Sequence, residues 1–139
     1  MKTAFVIIFL MVISLLSCDL EEELDKAIID VSGKVSNDGA AVPGVIVLLV
    51  EDTGSLEGLA LANGSITDNS GNYTILAVDP GDYYVLAVDD ANGNLQFDEA
   101  TDQLGFYGVN PDAMDVVPDQ ITVDDKDLED IDIISLYSL

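Results

Sequence analysis

From Ile28 onward, short apolar runs alternate with turn residues, and no long stretch repeats with a helical period. Ile29, Val31, Gly33 and Val35 alternate with Asp30, Ser32, Lys34 and Ser36, which is the pattern of a half-buried strand. Asn37-Asp38-Gly39 ends it. Val45–Val50 is instead a continuous β-branched and leucine run, short enough to be a strand buried on both faces. Asn69-Ser70-Gly71-Asn72 turns into Tyr73–Val78, and Pro80-Gly81 turns into Tyr83–Val88. Ile121-Thr122-Val123 and Ile131–Leu136 close the pattern. Six or seven short strands separated by turn signals predict an all-β chain over residues 28–139, folded as a Greek-key-like β-sandwich.

Before Ile28 the pattern changes. Ala4–Leu16 is apolar apart from Ser14 and follows the positive Lys2, the plan of a secretory signal. At about 1.5 Å per residue this stretch spans only about 20 Å as a helix, against a bilayer core of about 30 Å. A permanent membrane span is therefore disfavoured.

The string Leu15-Leu16-Ser17-Cys18 resembles the lipobox of bacterial lipoproteins. That resemblance implies a signal helix, residues 1–17, cleaved before Cys18. It also implies a diacylglycerol on the cysteine sulfur and acylation of the new amine. Two or three acyl chains give firm anchoring where one is marginal. Residues 18–27 then form an acidic tether, Asp19-Leu20-Glu21-Glu22-Glu23-Leu24-Asp25 following the cysteine. An acidic run here resembles the surface-export signal of Bacteroidota lipoproteins, whereas Asp directly after the cysteine resembles an inner-membrane retention signal of enterobacteria. The leaflet stays open between them. The expected location is the cell envelope, on the outer membrane or surface of a Gram-negative bacterium.

Charge narrows the set of partners. The chain carries 27 Asp and Glu against 4 Lys and Arg, a formal charge of −23, and contains no His and no Trp. Beyond Cys18 the only basic side chains are Lys26, Lys34 and Lys126. Nucleic-acid binding needs basic side chains to displace counterions from phosphates, so it is excluded as a function class. Direct adsorption to anionic lipid headgroups is disfavoured for the same reason. Without His the commonest general base and zinc ligand is missing, and one cysteine makes no internal disulfide.

Within the strand region, Gly33-Lys34-Val35 followed by Val42-Pro43-Gly44-Val45-Ile46-Val47-Leu48 resembles the opening of the carboxypeptidase regulatory-like domain. Thr67-Asp68-Asn69-Ser70-Gly71-Asn72-Tyr73 and Asp79-Pro80-Gly81-Asp82-Tyr83-Tyr84-Val85 are similar to its centre. Cna B-type domains look similar over the same stretch. The resemblance covers about Ile28 to Val88 and implies a prealbumin-like (Ig-like) sandwich of seven or so strands. It implies little about function, because this fold is an accessory module in many settings. The zinc peptidase after which the family is named uses His ligands, so that activity is not carried over.

The chemistry-bearing stretch is Asp89 to Asp102. Counting Asp90 as position 1 puts Asn92 at 3, Asn94 at 5, the Gln96 carbonyl at 7 and Asp98 at 9. These are the oxygen-donor positions of an EF-hand-type calcium loop. The stretch also resembles the calcium loops of serine-aspartate-repeat B-type domains. Two departures stand out: Leu95 occupies the position that wants Gly, and Thr101 sits where a bidentate Glu belongs. Glu99 or Asp102 is the candidate for that last carboxylate. The competing reading is a hairpin turned at Asn92-Gly93 with its acids facing water.

Three other features carry less. Cna B-type domains crosslink a core Lys, but the alternation puts Lys34 on the polar face, where its amine is not desolvated. The sequons Asn63-Gly64-Ser65 and Asn72-Tyr73-Thr74 read as chance matches in a bacterial chain. Tyr83, Tyr84, Phe97, Phe106 and Tyr107 could build a sugar platform, although core packing is the commoner fate of such side chains.

The expectation is a non-catalytic module, anchored to membrane through Cys18, that binds a protein or polysaccharide partner or serves a surface assembly, with calcium as a candidate ligand. The alternatives are a carbohydrate-binding accessory lipoprotein of a polysaccharide-uptake system and, less favoured, a hydrolase. His- or Cys-based nucleophile pairs are impossible in such a hydrolase.

Overall fold

The computed structural model describes residues 28–139, so the signal segment, Cys18 and the acidic tether lie outside the described residues. Nine strands follow in chain order: β1 Ile29–Lys34, β2 Ser36–Asn37, β3 Ala40–Ala41, β4 Ile46–Val50, β5 Ser65–Ile66, β6 Asn72–Val78, β7 Gly81–Asp89, β8 Gln103–Phe106 and β9 Gln120–Val123. A 3-10 turn at Pro111–Ala113 is the only helical element among the described residues.

The chain is an all-β sandwich. In one layer β1 pairs antiparallel with β6. In the other, β5, β4 and β7 lie side by side. β8 lines the Leu86–Asp89 half of β7, and β9 lines the Gly81–Tyr84 half. Asn37-Asp38-Gly39-Ala40 turns the small β2–β3 hairpin; Asp38 and Gly39 both have positive φ, as a two-residue turn of this hand requires.

The layers face each other through Val31 and Tyr73 on one side and Val45, Val47, Val85 and Ala87 on the other, all buried. Alternate residues of β4 and β7 then point outward, and these are buried as well: Ile46, Leu48, Leu86 and Val88 pack with Leu104, Phe106, Leu61 and Phe97. The Val45–Val50 run thus reads as continuous because its strand has a core on each face. Leu61 and Phe97 come from the two long loops, which cover the outer face of the larger sheet.

The segment 128–137 closes the molecule. It runs parallel to β1, bridging Val31 to Leu128 and Val35 to Ile133, then crosses to bridge Leu104 through Tyr137. It makes backbone bonds with both layers, among them Ser32 N–H to the Leu128 carbonyl and Tyr137 N–H to the Leu104 carbonyl, each 2.8 Å. Where it crosses, β1 carries Gly33 and β8 carries Gly105. A Cβ on either would overlap the carbonyl of Ile131 or Ser135. The expected strand at Ile131–Leu136 is therefore present only as bridged backbone shared between the layers.

Candidate functional site

The loop 90–102 leaves the end of β7 and returns into β8. It is fixed to the body by Phe97, which is buried, and by pairing with residues 58–61. Phe97 N–H bonds the Leu59 carbonyl at 2.9 Å, and Leu61 N–H bonds the Leu95 carbonyl at 3.0 Å. An apolar anchor at this point leaves the preceding polar residues to turn in solvent.

Those residues are organised by their own side chains. The two Asp90 oxygens accept separately from Gly93 N–H and Leu95 N–H, each at 2.9 Å. Asn92 Oδ1 accepts from Asn94 N–H, and Asn94 Oδ1 accepts from Gln96 N–H, again at 2.9 Å. The Asn92 and Asn94 bonds are Asx turns, and together with the Asp90 carboxylate they wind the backbone tightly about one side. Leu95 has φ 60°, the left-handed conformation for which position 6 of a calcium loop uses Gly. The backbone takes the path of such a loop without the glycine that normally permits it.

Asp98 stands at the centre. Its Oδ2 accepts from Asn92 Nδ2 and from Asn94 Nδ2, both at 2.7 Å. The structure thus brings Asp90, Asn92, Asn94 and Asp98 together on one loop, with Gln96 next to them in the same turn. Asp102 is placed differently. It is buried, and its oxygens accept from Ala91 N–H at 3.1 Å, Asp98 N–H at 2.9 Å and the Thr101 hydroxyl at 3.0 Å. Those bonds latch the two ends of the loop together and satisfy a carboxylate taken out of water.

As a cation site the donor set is all oxygen, which suits calcium. Among the described residues no three carboxylates converge to hold a metal by themselves, so amide and carbonyl oxygens would have to complete the shell. Two amide nitrogens face Asp98 here. A half-turn of the Asn92 and Asn94 amides would present oxygen instead, at the expense of the two Asx-turn bonds. The loop is therefore wired to stand without an ion and becomes a cation shell only by rotating those amides.

No family of known proteins, no curated protein and no solved structure matches this chain.

The remaining sequence candidates are dispersed. Phe97 and Phe106 are buried, while Tyr83 and Tyr84 pack against cores on opposite faces of β7, so the aromatic residues form no row. Lys34 is exposed, and its backbone N–H, rather than its amine, meets Asp132, at 2.9 Å. Asp68 accepts from Ser70 and Asn72 N–H, which holds its carboxyl below the ordinary value and fixes the turn into β6. The sequence reading passed over the hairpin around Pro111–Ala113, which holds Met114, Val116 and Val117 out in solvent. Their run of apolar letters between two prolines was the signal available.

Proposed function

We propose that this chain is a non-catalytic, lipid-anchored module of the bacterial cell envelope that binds a partner or serves as a structural part of a surface assembly. One observation carries the reading: the Leu15-Leu16-Ser17-Cys18 string follows an apolar stretch too short to span a bilayer, and the β-sandwich begins ten residues or so further on. A module of this size, joined to a lipidated cysteine by a short acidic tether, suits presentation at a membrane surface. The distribution of side chains supports a scaffold role, since the polar groups of the 90–102 loop are spent on shaping the loop.

Calcium belongs to this proposal as a stabilising ligand of that loop, held by Asp90, Asn92, Asn94, Asp98 and the Gln96 carbonyl. The left-handed Leu95 and the donor spacing of Asp90, Asn92, Asn94 and Asp98 support it. The ion's role would be to neutralise Asp90 and Asp98 and stiffen the loop.

Detergent-phase partitioning of the full chain tests the anchor. The protein should enter the detergent phase, and Cys18→Ala should move it to the aqueous phase. A Cys18→Ala variant that still fractionates with membrane would defeat the reading.

A further inference from the structure

Among the described residues β6 pairs with β1 alone, which leaves it one open side. Successive residues of a strand turn their main-chain groups to opposite sides, so half of β6 faces away from β1. The turn before the strand shows which half. The Gly71 carbonyl accepts from Val35 N–H, on the β1 side. Asn72 instead donates its N–H to the Asp68 carboxylate, and its carbonyl accepts from Asp68 N–H, on the other side. Thr74 follows Asn72 in this alternation. Leu76 does too, because Ala77 N–H turns back toward β1 and meets the Asp30 carboxylate at 3.0 Å. With no cis peptide in the strand, the N–H and carbonyl groups of Thr74 and Leu76 point off the edge, and no described residue bonds them.

Both residues are exposed, and Asn72–Val78 contains no Lys, Asp, Glu or Pro, the side chains that ordinarily guard an open edge. Its one guard is a bulge between Ile75 and Val78, where Ala77 takes φ 55°. The bulge ends the flat stretch at Leu76 and leaves room for a short added strand. Beside the edge lies a groove of about 410 Å3, with Ser32 and Thr74 on its floor and Glu129, Asp130 and Asp132 along its far wall. Asp68 and Asp79 stand exposed at the two ends of β6. Lys34 is the one basic side chain lining the groove.

We propose that β6 takes up an extended basic segment of a partner protein as an added antiparallel strand. This rests on the partner-binding part of the reading above and not on the anchor. The open main-chain groups supply the hydrogen bonds of strand addition, and antiparallel pairing makes the better ladder. Charge selects the occupant. A second copy would bring its own Asp68 and Asp79 against this edge, and like charges oppose it. Residues directly opposite in an antiparallel pair point their side chains to one face. The partner residue bonded to Thr74 therefore carries its side chain over the groove, toward the carboxylates, and a basic residue is the one that gains there.

A peptide alternating Lys and Val over the seven-residue length of β6, added to the full chain in neutral detergent, tests this. Hydrogen exchange at the Thr74 and Leu76 amides should slow with peptide, while the amides of β9, in the other layer, stay unchanged. N-methylating the Lys amides blocks the bonding edge and should weaken binding at least about tenfold, whereas N-methylating the Val amides, which face away, should change it less than about twofold. Thr74→Pro removes an outward N–H without touching the β1 pairing, a change that an edge strand tolerates, and should cause a like loss. If both methylated peptides bind alike and Thr74 stays unprotected, charge attraction alone is at work and the proposal falls. It falls also if no binding is seen up to about 1 mM peptide. Protection of Thr74 that appears without peptide and grows with protein concentration would give the edge to a second copy instead. None of these outcomes alters the partitioning of Cys18→Ala, so the edge can fail while the anchor stands.

Discussion

The Tyr73 hydroxyl donates a 2.6 Å hydrogen bond to the Ile131 carbonyl, fastening β6 to the segment that closes the sandwich across 58 residues of sequence. Both groups are buried, so the bond has no water to exchange with. Its loss in Tyr73→Phe leaves a buried carbonyl without a partner and should cost about 1–2 kcal/mol. Urea titrations at neutral pH measure this directly.

The same contact has a pH signature. Burial raises the Tyr73 pKa well above the ordinary tyrosine value, with the Asp132 carboxylate adding to the effect. An unfolded tyrosine ionises near pH 10, whereas the folded one stays neutral beyond it. The stability this provides is fully present below about pH 10 and is lost as pH rises further. Wild-type protein should lose stability more steeply than Tyr73→Phe above that pH. Some slope should persist in the variant, because burial also raises Tyr137. Parallel alkaline limbs for the two proteins would contradict the assignment.

Gly33 lies under the Ile131 carbonyl with no room for a Cβ. Gly33→Ala should therefore lift the closing segment off β1, with a cost of about 1–3 kcal/mol typical of forced overpacking. Hydrogen exchange should show the amides of Leu128, Ile131 and Ile133 losing protection before those of β4 and β7. Uniform loss throughout the domain would mean that the segment is not separately releasable.

Leu95 is held at φ 60° with its side chain half in solvent. The left-handed penalty of about 1–2 kcal/mol is only partly offset by the extra chain entropy of a glycine. Leu95→Gly should accordingly raise stability by about 0.5–1 kcal/mol. Thermal melts of both proteins would show it, and a fall in stability would mean that Leu95 packing outweighs its backbone strain.

Calcium should add a modest increment. With a Kd of about 10⁻⁴–10⁻³ M, as in extracellular sites, about 1 mM calcium contributes about 0.4–1.4 kcal/mol. The melting temperature should rise with calcium, fall on chelation, and stop responding in Asp90→Ala. Magnesium at matched ionic strength is the control, because its tight octahedron does not suit an open loop. An equal response to both ions that survives Asp90→Ala would reduce the loop to a solvent-facing hairpin.

What was legible in the sequence, and what was not, follows from how local each signal is. The alternation of Ile29–Val35 and the unbroken Val45–Val50 run gave their strands, because each records which faces are buried. β8 left no such mark: Gln103–Phe106 is four residues long, and its glycine is there to let a distant backbone cross. The path of residues 128–137 is likewise set by partners near the start of the domain, beyond the reach of any local pattern. In the loop, spacing alone put Asp90, Asn92, Asn94 and Asp98 together. The burial of Asp102 depended on where β7 and β8 bring the loop ends, which spacing does not encode.

That crossing has a consequence for how the molecule comes into being. β1 has one partner about forty residues along the chain and the other about a hundred, so the second is synthesised well after the first. Until residues 128–137 emerge, Val31 and Val35 have no cover on that side, and loop-closure entropy opposes holding the half-built layers together. A growing chain should therefore stay open until residues 128–137 are available, and then shut in one late step.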